Sequence, residues 1–236
     1  MRLLALIPAR GGSKRIPGKN VRPLGGRPLI LWSVDLAVRL PEIGDVLVST
    51  DDAEIAEIAR EAGALVPWLR PEELATDVAS AVDVCLHALD WFEAERGPVD
   101  GLLLLQPTSP FRTRGSVRRG MEIFSASGRR PVIGVSPARS HPFWCYRIEG
   151  DEMRPFIAGV GQTARSQDLP PAYVVNGAFY LIAPDDLRRD RTFETEHTVP
   201  LVMEGPWEDI DIDTEQDWAR AEMMVPSVLA GTDAGD

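Results

Sequence analysis

Residues Leu3 to Asn20, LLALIPARGGSKRIPGKN, constrain this chain more than any other stretch. Leu3 to Ile7 has the length and composition of a strand buried on both faces, as in a parallel sheet. It breaks at Pro8 into a loop that holds Gly11, Gly12 and Gly18 together with Arg10, Lys14, Arg15 and Lys19, and no acid. Open α/β sheets bind ligands at the carboxyl ends of their strands, where this loop would lie. Glycines let backbone N–H groups approach an anion closely and the cations neutralise it, so a polyphosphate is the expected guest. A solvated turn is the bland alternative. The spacing fits neither the P-loop GxxxxGK followed by Ser or Thr nor the dinucleotide fingerprint GxGxxG.

The basic loop is a local exception in an acidic chain. The 236 residues carry 25 Lys and Arg against 36 Asp and Glu, a formal net charge of -11. No further cationic run follows, which argues against a nucleic-acid groove or an anionic membrane surface. The length suits one sizeable α/β core with a small appended part. Cys85 sits in an apolar helical pattern and Cys145 between aromatics, so reduced thiols are expected rather than a disulfide, and no Cys/His spacing points to zinc. The amino terminus lacks a signal-peptide pattern and no apolar run approaches the roughly 20 residues of a membrane span, so a cytoplasmic protein is expected.

Along the chain, Pro28 to Leu40 spaces Leu29, Trp32, Leu36 and Leu40 as a helix does. Asp45 to Thr50 reads as a strand, and Asp51 and Asp52 follow it. Asp52 suits the N-cap of a helix over Ala53 to Ala62 that closes at Gly63, with metal binding as the alternative for the aspartate pair. Ala64 to Trp68 reads as a third strand and Thr76 to Glu95 as a helix with Val78, Val82, Cys85, Leu86, Leu89 and Phe92 on one face. His87 reads as a packed interior or surface residue. Gly101 to Gln106 is again a doubly buried strand, ending in the polar, proline-bounded loop Gln106-Pro107-Thr108-Ser109-Pro110, which presents hydrogen-bonding groups. Thr113 to Ser125 is expected to be helical and Pro131 to Val135 a strand. From Ser140 to Tyr173 helical periodicity disappears, as in an inserted β-rich arm or a mobile loop. Asp209, Asp211 and Asp213 alternate with isoleucines and would project from one face of an extended segment. Such acids suit a hard divalent cation, while Asp213 or Thr214 could equally cap the helix expected over Glu215 to Met224. The small, acidic segment from Pro226 to Asp236 reads as a frayed tail.

Four of these stretches, in order, resemble the motifs of the CMP-sugar synthetases, the acylneuraminate cytidylyltransferases: IPARGGSKRIPGKN, LLQPTSPFR, NGAFY at Asn176 to Tyr180, and IDIDT at Ile210 to Thr214. The resemblance covers essentially residues 1 to 225. It implies a Rossmann-like, mostly parallel α/β sheet of the nucleotide-diphospho-sugar transferase type, formed by residues 1–139 and 176–225, with residues 140–175 as a dimerisation arm that swaps over a partner's site. It implies transfer of CMP from CTP to the anomeric hydroxyl of a nine-carbon α-keto sugar acid, with release of pyrophosphate. Arg10 and Lys19 would hold the triphosphate. Ala9, Gly11, Gly12, Ser13, Asn20, Arg70, Asp77 and Ser80 would complete the nucleotide site. Gln106 would sit between nucleotide and sugar, near Thr108 and Ser109. On the sugar side come Gln167, Tyr173, Asn176, Gly177, Phe179 and Tyr180, with Arg165 as the clamp for the acceptor's carboxylate. Asp211 and Asp213 would carry Mg²⁺, with Mn²⁺ as the alternative, and Asp211 would be catalytic.

The acceptor is less determined than the reaction. Ser166 stands where sialic-acid members carry a second arginine, RSQDLP and KRIP look closer to the pseudaminate branch, and NGAFY points to neuraminate and legionaminate members. An eight-carbon acid such as Kdo is a further alternative, although that family's first loop lacks the GGSK and GKN form. A catalytically dead binding module would not need both the cation and the carboxylate sets.

Overall fold

Leu3 to Ile7 are fully buried, and their place in the sheet explains why. In a computed structural model that describes residues 1–157 and 165–232, strand β1 (Leu3–Pro8) is flanked by two parallel neighbours, β4 (Asp45–Ser49) and β5 (Gly101–Leu104). Ala5 faces Val46 on one side and Leu103 on the other. Its alternate residues enter two different cores. Leu3, Ala5 and Ile7 pack in one cluster, Leu4 and Leu6 in the other, as the two-residue period of a strand requires.

Between β1 and β4 the chain makes the short pair β2 (Pro23–Leu24) and β3 (Arg27–Pro28) and the helix α1 (Leu29–Val38). Helix α2 (Ala53–Glu61) follows β4, and α3 (Ala81–Arg96) precedes β5. Then come α4 (Arg114–Ala126), β6 (Val132–Pro137), the hairpin β7 (Tyr146–Glu149) and β8 (Glu152–Pro155), β9 (Tyr173–Ile182), α5 (Pro184–Asp190), β10 (Val199–Val202) and α6 (Glu215–Thr232). The main sheet runs β10-β6-β9-β5-β1-β4, parallel except for β9, which pairs antiparallel with both β5 and β6. Residues of α1, α2 and α4 fill the first cluster, and Cys85, Ala88, Leu89 and Phe92 of α3 with Leu187 of α5 fill the second. The result is the expected Rossmann-like α/β layering, helices on both faces of a mostly parallel sheet.

A third apolar cluster matters most for function. It joins Ile16 of the basic loop, Phe111, Ile210 and Ile212 of the acidic stretch, and Trp218, Val225 and Val228 of α6. Burying the isoleucines of both charged stretches in one cluster turns their cations and carboxylates toward a common space. The antiparallel β9 contributes in its own way. Tyr180 pairs with Leu104 at the carboxyl end of β5, so Asn176 and Gly177 lie beside the loop that follows β5.

Several expectations need correction. The expected strand Ala64 to Trp68 contributes one parallel bridge, Leu65 to Leu47, because Pro67 lacks the N–H needed to continue a ladder. Helix α3 begins at Ala81, where the Ser80 hydroxyl accepts from the Val82 N–H at 3.1 Å, and Val78 is left 91% exposed rather than packed. The acidic stretch from Asp209 to Asp213 is not a ladder strand: Asp209 lies in a turn and the rest is irregular. The tail from Pro226 is helical to Thr232, because Ala221, Val225 and Val228 extend the apolar stripe of α6 and their tertiary burial outweighs the N–H that Pro226 lacks. Residues 233–236 lie outside the described residues. So do 158–164 of the expected arm, whose described part includes the exposed β7-β8 hairpin and, at its end, Tyr173 to Val175, which pair with β6 in the main sheet.

Candidate active site

The loop after β1 is held by its neighbours rather than by its glycines alone. Asp51 accepts the Gly11 N–H at 3.0 Å, while Asp52 caps α2 by accepting from Glu54 and Ile55. The two aspartates thus share tethering and capping. A Cβ on Gly11 would lie 2.6 Å from an Asp52 oxygen, so glycine is required there by contact, and Gly18 by its φ of +64°. The Asn20 amide donates to the Arg10 carbonyl at 2.9 Å and closes the loop. With the Gly11 N–H engaged and Gly11 and Gly12 absent from the cleft wall, an anion here meets side chains rather than the glycine cradle expected.

An open cleft of about 360 Å³ lies at the carboxyl ends of β1 and β5. The basic loop supplies Arg10, Ser13, Lys19 and Asn20 to its wall, and Arg70, Gln106, Thr108, Asp211 and Asp213 come from three later parts of the chain. Lys19 spans the cleft: its Nζ donates to the Ile212 carbonyl at 2.8 Å and lies 3.3 Å from Asp213 Oδ1. A backbone bond of 2.8 Å from Ile212 N to Thr108 O ties the acidic stretch to the loop after β5. Positive groups from one end of the chain and negative groups from the other therefore meet, 194 residues apart in sequence.

Two arginines are set by burial. Arg70 is buried, with Nε on Ser49 Oγ at 3.0 Å and Nη2 on the Ser49 carbonyl. Burial lowers its pKa, against the pull of Asp51. Arg112 donates to the carbonyls of Gln106 and Ala178 and, at 2.9 Å, to Ser33 Oγ, locking the loop after β5 onto β9. Burial pushes it down to about 9, opposed by Asp211. Asp211 lies in the wall of the cleft. Partial desolvation by the surrounding cleft wall raises its pKa, a hydrogen bond with Thr108 opposes this, and Asp213 adds repulsion. Asp77 does the reverse: its carboxyl lies below the ordinary range because Lys14 and then Arg10 hydrogen-bond to it across the cleft mouth.

A second cavity of about 370 Å³ adjoins the cleft and shares Asp211 with it. Ser136, Arg139, Val174, Val175, Asn176 and Asp209 are in its wall. Gly177 stands at the junction with φ +73°, and a Cβ there would fall 3.0 Å from Ser109 Oγ, 3.1 Å from Gln106 Oε1 and 3.9 Å from Asp211 Oδ2. Glycine keeps this passage open.

Of the residues expected at the site, the structure gathers Arg10, Ser13, Lys19, Asn20, Arg70, Asp77, Gln106, Thr108, Asp211 and Asp213 around the cleft, and Asn176 around the second cavity. Asn176 points its amide inward, donating to Ser136 Oγ at 3.0 Å and accepting from Ala178 N at 3.0 Å. Phe179 is a correction. It is fully buried against Gly120, because its register on β9 faces the first core cluster. Ala9 and Ser109 are also buried, and Ser80 caps α3 outside the cleft wall. Tyr180 packs edge-on against Phe193, with ring centroids 5.5 Å apart. Arg165, Gln167 and Tyr173 are exposed and line neither cavity. Sequence reasoning missed Leu74, Thr76, Ala79, Ala81 and Val84, which build the cleft's far wall, and the anchors Ser49 and Arg112. The PFR that ends LLQPTSPFR was the one available signal for Arg112. The Arg139–Asp209 pair carried none, since it joins residues 70 apart.

Among the described residues no group of three or more His, Cys, Asp or Glu could hold a metal. Asp211 and Asp213 do form a hard, oxygen-only pair open to the cleft, which fits Mg²⁺ bound by one or two carboxylates and completed by phosphate oxygens. No helix of the described residues is long and apolar enough to cross a membrane.

A cytidylyltransferase family model matches residues 4–90. CMP-N,N'-diacetyllegionaminic acid synthase of Legionella pneumophila is 39% identical over 227 residues, 95% of this chain and 97% of that protein. N-acylneuraminate cytidylyltransferase of Streptococcus agalactiae is 31% identical over 220 residues, 92% of this chain and 52% of its own length. Pseudaminic acid cytidylyltransferase of Campylobacter jejuni is 30% identical over 225 residues, 95% of this chain and 96% of that protein. Among solved structures, CMP:2-keto-3-deoxy-manno-octonic acid synthetase complexed with CTP superposes with a TM-score of 0.70 over 96% of this chain and 99% of that one. At 17% identity that likeness speaks for the fold alone.

Proposed function

The chain belongs to the CMP-nonulosonic acid synthetases, and from that premise we propose how its two cavities divide the work and which acceptor they favour. The activity is CTP-dependent transfer of CMP to a nonulosonic acid. We assign the cleft behind the basic loop to CTP and the adjoining cavity to the sugar acid. The meeting of Lys19 with Ile212 and Asp213 carries this reading, because it sets cations and carboxylates around one space the size of a nucleotide tail.

In this reading Arg10, Lys19 and Arg70 hold the triphosphate and stabilise the charge that builds on the departing pyrophosphate. Asp77 keeps Arg10 and Lys14 in place at the mouth until phosphate takes them. Gln106 and Gly177 stand at the passage where the acceptor hydroxyl must line up behind the α-phosphorus, and alignment is most of what phosphoryl transfer asks of a protein. Asp211 and Asp213 would hold Mg²⁺, which supplies neutralisation of phosphate charge when bound. No histidine lines either cavity among the described residues, so carboxylates are the groups at hand for the acceptor's proton.

For the acceptor we favour a legionaminate-type acid over N-acylneuraminate. The support is 39% identity over 97% of the Legionella enzyme, against 31% over about half of the streptococcal one. We also propose a homodimer built by the β7-β8 arm, because Ile148 and Met153 are 78% and 66% exposed on paired positions of the hairpin. Pyrophosphate release with CTP, Mg²⁺ and a panel of acids tests the reaction and its acceptor. Highest kcat/KM with N,N'-diacetyllegionaminate is expected; turnover with Kdo alone, or with none, overturns the reading.

A further inference from the structure

A third cavity, of about 320 Å³, shares no wall residue with the nucleotide cleft or the second cavity. It lies between α1, the loop after β5 and the end of α6, with Leu36, Pro110 and Val228 in one wall. That size is at the lower end for small-molecule pockets. In a chain of net charge -11 this wall is basic: Arg27, Arg39, Arg112 and Arg114 stand against Asp35, the one acid among its described residues. Arg27 takes that acid, with Nη1 2.9 Å from Asp35 Oδ2, and its Cζ stacks 3.9 Å from the centre of the Trp32 ring. Arg27 Nε is nonetheless buried without a hydrogen-bond partner among the described residues, and Arg39 adds repulsion. Arg112 is buried and bonds to the Gln106 and Ala178 carbonyls and the Ser33 hydroxyl, all of them neutral. Buried charges are ordinarily paired. With Asp35 taken by Arg27, the wall offers Arg112 no anion.

We infer that the third cavity is an effector site for a small organic anion with a flat, apolar body, coupled to CMP transfer through Arg112. Trp32 and Phe111 meet edge to face with ring centroids 5.1 Å apart, and Trp207 joins them in the wall. Rings and guanidiniums together suit a ligand that joins a flat body to an anionic head. The head supplies the acceptor that the arginines lack, and the body replaces water against the aromatic wall. Coupling follows from where Arg112 is fixed. The guanidinium that lines this cavity also holds the carbonyls of Gln106, in the nucleotide cleft wall, and of Ala178, next to Gly177 at the passage. An anion that draws on Arg112 weakens its hold on both, and a ligand shifts a site only by binding its states unequally. Occupancy therefore lowers turnover. The inference goes beyond the assignment of the two reaction cavities, since binding here needs neither CTP nor sugar.

The test uses anilinonaphthalene sulfonate as the anionic probe and phenylnaphthylamine, the same flat body without the sulfonate, as its neutral control. Fluorescence titrations are run on the full chain with saturating CTP and Mg²⁺, so that the nucleotide cleft is occupied. The sulfonate should bind about tenfold or more tighter than the neutral probe, and Arg39→Glu should erase that margin. Arg39 is exposed, so this substitution spares the fold. Leu36→Trp, which enlarges a wall residue, should weaken both probes, and Ile148→Glu on the arm should leave both unchanged. In steady-state pyrophosphate release the sulfonate should lower kcat about twofold or more in wild type and not in Arg39→Glu, whose kcat without probe should match wild type. A sulfonate that binds no tighter than the neutral probe, or whose binding Ile148→Glu removes, overturns the site. Binding that leaves kcat unchanged overturns the coupling. Neither result touches the assignment of the reaction, which fails only if wild-type enzyme without probe turns over no nonulosonic acid.

Discussion

The nucleotide cleft and the β7-β8 arm are opposites in how they are held. Cleft side chains come from four distant parts of the chain, yet nearly every one is tethered: Arg70 by Ser49, Lys19 by Ile212, the loop after β5 by Arg112. The arm lies between residues 140 and 175, is contiguous in sequence, and leaves Ile148, Met153 and Phe156 open to solvent. Sequence proximity and structural rigidity are thus unrelated here. The cleft that we assign to the triphosphate sits on preorganised elements. On the arm, an apolar surface is left exposed among the described residues.

That contrast can be broken in several ways, beginning with the largest effect. Lys19→Ala removes a cation and the link to Ile212 together, and kcat should drop about 10²- to 10³-fold. Thermal unfolding should stay close to wild type, since the third apolar cluster is untouched; near-normal turnover would remove Lys19 from the machinery. Next comes Asp211→Asn, which should move the Mg²⁺ requirement to roughly tenfold or higher concentration, as read from pyrophosphate release against metal concentration. An unchanged titration would show that Asp211 does not face the ion.

Gly177→Ala should cost about 1–2 kcal/mol of stability from the left-handed backbone alone. Its methyl would also crowd Gln106 and Ser109, so kcat should fall in steady-state assays while CTP affinity by calorimetry holds. Ile148→Glu combined with Phe156→Glu sharpens the other side of the comparison. The pair should shift the mass in light scattering from dimer to monomer while each chain's unfolding changes by no more than about 0.5 kcal/mol, as for surface positions. A dimer that persists would place the interface elsewhere.

The smallest effect concerns the tether of the acidic stretch. Asp217 accepts from Thr214 N and Oγ1 and from Asp213 N, while the Thr214 hydroxyl accepts from Asp217 N, a reciprocal cap on α6. Burial pushes this carboxyl up, but the bonds from Thr214 and Asp213 outweigh it and the net pKa is lowered. A depressed folded-state value means stability that is present above the unfolded pKa of about 3.9 and lost as pH falls through the folded one. Asp217→Asn should therefore cost about 1 kcal/mol in chemical denaturation at neutral pH and converge with wild type in acid.

Much of the fold was legible because its signals are local. Leu3 to Ile7, Asp45 to Ser49 and Gly101 to Leu104 are continuous apolar runs, and such runs form strands when both faces are covered. Asp52 announced a helix start through a side chain that reaches only two or three residues along, whereas the start of α3 at Ser80 did not show against the helical spacing from Thr76. The errors share one cause, contacts made far away in sequence. Val78 carries a helical signal and is left exposed, whereas the helix beyond Pro226 persists because Val225 and Val228 find Leu24 and Trp32. Phe179 lies in a motif read as facing the sugar, yet its register on β9 sends it into the core.

The amino-acid order by itself determined the basic loop, the acid-isoleucine alternation and the parallel-sheet strands, since each depends on spacing within a few residues. Only the tertiary structure decided that Ile16 and Ile212 share one cluster, so that Lys19 reaches Asp213, and that Asp209 pairs with Arg139 at the second cavity. Partners of that kind are chosen by how separate segments pack, and no short window of sequence contains both members of such a pair.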